Sequence, residues 1–286
     1  MTISGKTQVA AVLGFPVKQS YSPRLHGRWL EALNIDGILV PFEVSPEDLS
    51  LVLPTFPRLG LVGACVTIPH KEATLTLMHN VDDAARAIGA VNVISINDNG
   101  ELIGRNTDGY GFIESLRQSL PDWKADHGPA LVLGAGGAAR AVVYGLASAG
   151  VPEIRVINRT RKRAERLAKE LSTSIGCRMS ICDWDEMENH LSDVAVLVNT
   201  TSLGMVGMPP LRLSLNHLPV TAVVVDIVYV PLMTPLLEGA RQRGNHIVDG
   251  LGMLIHQARP AFREWFGVDP EVTETLRSLL IADLRV

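Results

Sequence analysis

Short apolar runs alternate with longer stretches whose apolar positions recur at helical spacing, and this alternation continues along the whole chain. Strands are predicted at residues 8–13, 38–43, 61–67 and 90–97. Asp98-Asn99-Gly100 is a hairpin-turn signal leading into a further strand at 101–104. A helix from about Gly109 and a polar linker at 121–129 separate this half from a second series of strands, at 130–133, 153–157, 194–199, 222–226 and 246–249. The tail from Met253 is helical in pattern. Strands alternating with helices argue for a parallel α/β architecture. The pattern divides the chain into an N-terminal α/β domain at 1–108, completed by C-terminal helices at 248–286, and a second domain at 109–247.

The second domain carries the sharper signal. The strand at 130–133 runs into Gly134-Ala135-Gly136-Gly137-Ala138-Ala139, and a small-residue helix from about Ala138 to Ser148 runs out. A strand feeding a tight glycine turn and then a helix offers backbone N–H groups and a positive dipole end to a diphosphate. This context predicts a Rossmann-type, doubly wound dinucleotide-binding domain. The next strand, at 153–157, chooses the cofactor. It ends in Asn158-Arg159-Thr160-Arg161-Lys162-Arg163, where a site for unphosphorylated NAD usually places a carboxylate. A carboxylate there would repel a 2′-phosphate, whereas guanidinium groups bind one. The competing reading is a solvated basic helix face, and the position directly after the second strand favours NADP.

Composition narrows the setting. The 286 residues are 47% hydrophobic and 20% charged, with a formal net charge of −4, which disfavours an extended nucleic-acid surface. No apolar run is long enough to span a bilayer, and the first residues do not begin a signal peptide. Cys65, Cys177 and Cys182 form no C-x-x-C pair, and the eight histidines show no metal-ligand spacing. A cytoplasmic, metal-free chain is expected, acting on a small molecule as a monomer or homodimer without nucleic acid or membrane.

A nicotinamide domain beside a second α/β domain suggests hydride transfer, which needs a proton donor and groups to orient the substrate. None of Tyr21, Tyr110, Tyr144 or Tyr229 has Lys four residues on, which excludes the Tyr-x-x-x-Lys mechanism. Three polar clusters remain in the first domain. Ser20-Tyr21-Ser22-Pro23 opens a helix, so its hydroxyls either bind a carboxylate or simply cap that helix. Val66-Thr67-Ile68-Pro69-His70-Lys71 ends a strand, where open α/β sheets bind ligands, although an isolated lysine is more often solvated surface. Asn106-Thr107-Asp108-Gly109 either caps a helix or brings Asp108 beside Lys71.

Together these segments carry a family resemblance. Gly-Phe-Pro-Val-x-x-Ser-x-Ser-Pro-x-x-His stands at 14–26, Val-Thr-Ile-Pro-x-Lys at 66–71, Gly-Ala-Val-Asn at 89–92 and Asn-Thr-Asp-Gly at 106–109. Gly-Ala-Gly-Gly-Ala-Ala-Arg follows at 134–140, Asn-Arg-Thr at 158–160 and Asn-Thr-Thr-Ser-Leu-Gly-Met at 199–205. Asp-Ile-Val-Tyr-x-Pro at 226–231, Thr-Pro-Leu-Leu at 234–237 and Gly-Met-Leu-x-x-Gln-Ala at 252–258 complete the series. In this order they resemble the shikimate dehydrogenases over nearly the full chain.

The resemblance implies NADP-dependent, reversible reduction of 3-dehydroshikimate to shikimate, in the synthesis of aromatic amino acids. It implies that Lys71, paired with Asp108, is the acid–base residue. Ser20 and Ser22, assisted by Tyr229, would bind the ring carboxylate, and Thr67, Asn92, Asp108 and Gln257 the ring hydroxyls. The cofactor would lie against Gly134, Ala135, Gly136, Gly137, Ala138, Thr200, Ile227 and Gly250, with Asn158, Arg159, Thr160 and Arg163 around its adenosine phosphate. Cys65, Gly27 and Val93 depart from residues common among relatives, and no proposed catalytic side chain is lost. Cys65 is expected to be a buried thiol at a strand end. The alternatives are a quinate or aminoshikimate dehydrogenase paralogue, and a noncatalytic NADP-binding regulator on the same fold.

Overall fold

Buried apolar faces decide which segments become strands. The structure, a computed structural model describing residues 3–284, divides into two units: residues 3–107 with 257–284, and residues 108–256. The first contains β1 (Gln8–Gly14), α1 (Ser22–Ala32), β2 (Gly37–Glu43), α2 (Leu49–Val52), β3 (Leu61–Val66), α3 (Lys71–Leu75), β4 (Asn80–Val81), α4 (Asp83–Ile88), β5 (Val93–Ile96) and β6 (Leu102–Arg105). The second contains α5 (Asp108–Ser119), β7 (Ala130–Leu133), α6 (Gly137–Ala149), β8 (Glu153–Ile157), α7 (Arg161–Leu171), β9 (Arg178–Cys182), β10 (Val196–Asn199), β11 (Val223–Asp226), α8 (Pro235–Arg243) and β12 (His246–Val248). The chain closes with α9 (Gly250–Phe266) and α10 (Glu274–Leu284).

The first sheet has the order β2-β1-β3-β5-β6-β4. It is mixed where sequence patterning argues for parallel strands. β1 pairs in parallel with β2 and β3, but β5 runs antiparallel to both β3 and β6. For β5 and β6 the cause is the turn at 98–100, closed by the Gly100 N–H donating to the Asn97 carbonyl at 2.9 Å. So short a connection can join only antiparallel strands. Ala11, Leu13, Phe56 and Ile94 lie in one core of this unit. Trp29, Phe262 and Trp265 surround His26 in another, and the Trp265 indole N–H donates to the Ile94 carbonyl at 3.0 Å.

The second sheet is parallel throughout, in the order β12-β11-β10-β7-β8-β9. Its central strands β7, β10 and β11 read as near-continuous apolar runs because both faces are covered. Along β7, Ala130 and Val132 enter one core while Leu131 and Leu133 enter the other, and β10 and β11 alternate in the same way. Residues 248–256 fall in this unit, not with the C-terminal helices that pattern alone predicts from 248. Val248 and Met253 pack into the core shared with Val132 and Val196.

Candidate active site

Topology brings the first unit's polar clusters to one end of its sheet. Leu13 of β1 is in register with Val66 of β3, so the loops leaving both strands emerge side by side. The Thr67 N–H donates to the Leu13 carbonyl at 2.8 Å, and the Phe15 N–H to the Ile68 carbonyl at 3.1 Å. Because β5 is antiparallel, its beginning lies at the same end, and the Val66 N–H donates to the Asn92 carbonyl at 2.8 Å. β6 ends there too, delivering Asn106 and Thr107.

Side chains at this end are held in two different ways. Tyr21, not Ser22, is the cap residue of α1, and no side chain caps the helix. The Ser20 hydroxyl accepts the Ser22 N–H at 3.4 Å, while the Ser22 hydroxyl, the Thr67 hydroxyl and the Gln257 amide make no side-chain hydrogen bond with the described residues. These uncommitted, partly exposed groups suit a polyhydroxylated ligand. Asn92, by contrast, is buried and locked. Its amide nitrogen donates to the Thr107 hydroxyl at 3.0 Å, and its oxygen accepts the Thr107 N–H at 2.8 Å. The Thr107 hydroxyl donates in turn to the Gln257 carbonyl at 2.8 Å.

Lys71 is the first residue of α3 and half-buried, and its carbonyl accepts the Val91 N–H at 2.9 Å. The preceding His70 is buried, with Nε2 2.8 Å from the Val44 carbonyl. Asp108 opens α5 in the second unit and is 2% exposed. Cys65 is half-buried where a buried thiol is expected, because it lies on β3 at a position that the core does not cover.

In the second unit, β7 and β10 are neighbours although the chain leaves β7 for β8, so the sheet reverses its winding between them. Ligands bind at such a switch point. Gly134 leaves β7 with φ +115°, and a Cβ there would stand 2.5 Å from the Thr200 hydroxyl oxygen. That hydroxyl donates to the Leu133 carbonyl at 2.6 Å. Cβ atoms built on Gly136 or Gly137 would meet nothing within 4 Å, so the turn and the start of α6 present open backbone. After β8, the Asn158 amide donates to the Thr160 carbonyl at 2.8 Å and shapes the turn into α7. Arg159 and Arg163 are exposed and have no ion-pair partner among the described residues. Arg161 is spent on Glu165 at 2.9 Å and Asp183 at 2.6 Å. Thr200, Ile227 and Tyr229 follow the ends of β10 and β11, and Gly250 starts α9 against the Ile227 carbonyl. Ala135 and Ala138 flank the glycine pair.

Sequence reading gave no role to Thr107, His70, Asn199 or Asp226. Burial of a polar side chain is what marks all four. Asp226 is fully buried, and loss of water pushes its carboxyl above the usual range against the pull of three hydrogen bonds. The described residues contain no cluster of three or more His, Cys, Asp or Glu fit to hold a metal, and no helix is long and apolar enough to cross a membrane.

Comparison with known proteins places this geometry. The family described as Shikimate dehydrogenase substrate binding domain matches residues 12–94, and Shikimate / quinate 5-dehydrogenase matches 115–207. Shikimate 5'-dehydrogenase C-terminal domain matches 250–280. A protein of Paramagnetospirillum magneticum named Shikimate dehydrogenase (NADP(+)) is 55% identical over 98% of this chain and 100% of its own length. A protein of Rhodospirillum rubrum with the same name is 54% identical over 98% of this chain and 99% of its own. Among solved structures, a shikimate dehydrogenase in complex with NADP+ gives a TM-score of 0.91 at 35% identity, covering 99% of this chain and 98% of that one. Shikimate 5-dehydrogenase of Thermus thermophilus, in complex with NADP(H) and shikimate, gives 0.83 at 36%, covering 98% and 99%. Quinate dehydrogenase of Corynebacterium glutamicum, in complex with NAD, gives 0.89 at 30%, covering 96% and 99%.

Proposed function

The chain belongs to the shikimate dehydrogenase family, and we propose that it catalyses the reversible, NADP-dependent reduction of 3-dehydroshikimate to shikimate. The observation that carries this reading is 55% identity, over 98% of the chain, to a relative named for that activity and that cofactor. The reading includes a cytoplasmic enzyme of aromatic amino-acid synthesis, working as a monomer or homodimer.

The residues present fit the cofactor. Open backbone at Gly136 and Gly137 lets a diphosphate approach the N-terminus of α6, where N–H groups and the helix dipole favour it. Arg159 and Arg163, with no carboxylate partner among the described residues, provide for the 2′-phosphate with Asn158 and Thr160 beside them. When bound, NADPH supplies the hydride that reduces the ring ketone.

This chain's own work is to hold the ring and move a proton. Ser20 and Ser22, at the start of α1, receive the ring carboxylate with the help of the local N–H groups. Thr67, Asn92 and Gln257 hold ring oxygens, and the Thr107 lock sets which face of the Asn92 amide is offered. Lys71 as an ammonium gives its proton to the ketone oxygen as the carbonyl carbon is reduced. In the reverse direction its neutral amine takes the hydroxyl proton. Tyr229 for the carboxylate, and Asp108 as hydroxyl ligand and partner of Lys71, are assigned by family resemblance.

The test is nicotinamide absorbance with purified protein, shikimate and quinate each being offered with NADP and NAD. Rapid NADP reduction with shikimate alone is expected. Preference for quinate or NAD would reassign the chain to the paralogue, and silence in all four would remove the dehydrogenase reading.

A further inference from the structure

Asn199, Asp226 and Thr234 each begin a motif segment, yet neither the fingerprint logic nor the proton transfer uses them. The fold gathers all three at one carboxylate. β10 and β11 are adjacent, with Asn199 in register with Asp226 at their carboxyl ends. Asp226 is fully buried, and its Oδ1 accepts the Asn199 amide and the Val228 N–H, both at 3.0 Å. Its Oδ2 accepts the Thr234 hydroxyl at 2.7 Å. A buried carboxylate costs free energy even when satisfied, and an apolar residue of similar size would be cheaper at a merely structural position.

What Asp226 organises explains why a carboxylate stands here. Asn199, held on one side by Asp226, accepts the Thr201 N–H at 3.0 Å and the Thr201 hydroxyl at 2.7 Å. Its amide also donates to the Leu203 carbonyl at 3.1 Å, so it shapes the whole turn after β10. The Ile227 N–H donates to the Asn199 carbonyl at 3.1 Å, and Val228 and Thr234 bind Asp226 directly. One group therefore sets two loops. Both leave the sheet at the switch point, on the β10–β11 side of the glycine turn, while the basic run after β8 lies on the other side. A dinucleotide spanning the switch point with its adenosine phosphate at Arg159 puts its nicotinamide half on the β10–β11 side.

We propose that Asp226 is a positioning residue for hydride transfer: through Asn199 and Thr234 it fixes the 200–203 turn and the 227–234 loop that face the nicotinamide half of NADP. The inference rests on the NADP-dependent reading above. It gives the three motif segments one shared physical task.

The test uses the full chain with Asn199→Ala, Thr234→Val, their double variant and Thr234→Ser. NADP affinity is measured by calorimetry, kcat with shikimate by absorbance, and folding by thermal melting. Each of Asn199→Ala and Thr234→Val is expected to weaken NADP binding about tenfold and to lower kcat, since each removes a hydrogen bond to a charged group. The double variant should lose less than the product of the two, because both act through one carboxylate. Thr234→Ser, which keeps the donor, should restore wild-type values. Folded single variants with unchanged NADP affinity and kcat would overturn the proposal, as would losses that simply multiply. If Asn199→Ala does not fold, Thr234→Val against Thr234→Ser decides alone. Wild-type protein that binds NADP but oxidises no ring acid would sink the dehydrogenase reading and leave the calorimetric test of Asp226 in force.

Discussion

Thr107 grips both ends of the Asn92 amide, accepting from its nitrogen at 3.0 Å and donating a backbone N–H to its oxygen at 2.8 Å. An amide can otherwise rotate to exchange donor and acceptor, so this pair fixes what Asn92 shows a ligand. Thr107→Val keeps the shape and removes the hydroxyl, which costs the Asn92 nitrogen and the Gln257 carbonyl one partner each. We expect KM for shikimate to rise about tenfold and stability to fall by about 1–3 kcal/mol. Thr107→Ser should stay near wild type. Steady-state kinetics and urea unfolding check both statements, and an unchanged KM would show that Asn92 needs no lock.

Lys71 is expected to carry the proton. Lys71→Ala should lower kcat by roughly 10²–10⁴, the range for general acid–base residues, while NADP binding stays intact. The comparison needs kcat and cofactor affinity on the same folded preparation. Near wild-type turnover would remove Lys71 from the role.

The three neighbouring arginines after β8 separate by their partners. Arg161 already pairs with Glu165 and Asp183, whereas Arg159 and Arg163 have no carboxylate partner among the described residues. Arg159→Ala combined with Arg163→Ala should raise KM for NADP at least about tenfold and leave NAD kinetics nearly unchanged. Arg161→Ala should alter neither. Equal losses with both cofactors would mean that these side chains shape the loop and do not select the phosphate.

Gly134 is fixed by geometry as well as space. Its φ of +115° strains any L side chain, and a Cβ would press on the Thr200 hydroxyl at 2.5 Å. Gly134→Ala should therefore lower stability by about 1–3 kcal/mol and weaken NADP binding, because the turn and Thr200 must part. Wild-type cofactor affinity in this variant would contradict the close fit.

What could be read from sequence follows from how local each cause is. The run at 130–133 is legible because a strand buried on both faces needs apolar residues at every position, and that at 153–157 because Ile154, Val156 and Ile157 are buried beside partly exposed Glu153 and Arg155. The glycine turn was legible because its conformation is written in its own residues. β9 and β4 give weak signals because both are edge strands, β9 having Met179 and Ile181 only partly buried against the core and β4 being two residues long. The polar braces escaped for a different reason. Thr107 meets Asn92 only once the β5–β6 hairpin sets its register, and Gln257, like Asp226 with Asn199, only after segments far apart in the chain come together, so no spacing announces them. Ser22 shows the same limit on a small scale: Ser-Pro at a helix start reads as a cap, yet Tyr21 takes the cap position.

His26 gives the chain a predictable weakness toward acid. Its ring lies among Trp29, Phe262 and Trp265, with centroids 5.8, 5.8 and 5.4 Å away, and neither ring nitrogen has a hydrogen-bond partner among the described residues. Burial without a partner pushes its pKa down from 6.5 to about 3. The unfolded chain therefore takes up a proton that the native state refuses. Stability is lost as pH falls below about 6.5 and goes on falling to about 3, at up to ~1.4 kcal/mol per pH unit. His26→Leu, similar in size and without the titrating group, should lack this slope. Urea unfolding at pH 7.5 and pH 5 should show the wild type losing about 2 kcal/mol more than the variant over that interval. Equal losses in the two proteins would mean that His26 finds a proton partner in solution and that the acid sensitivity lies elsewhere.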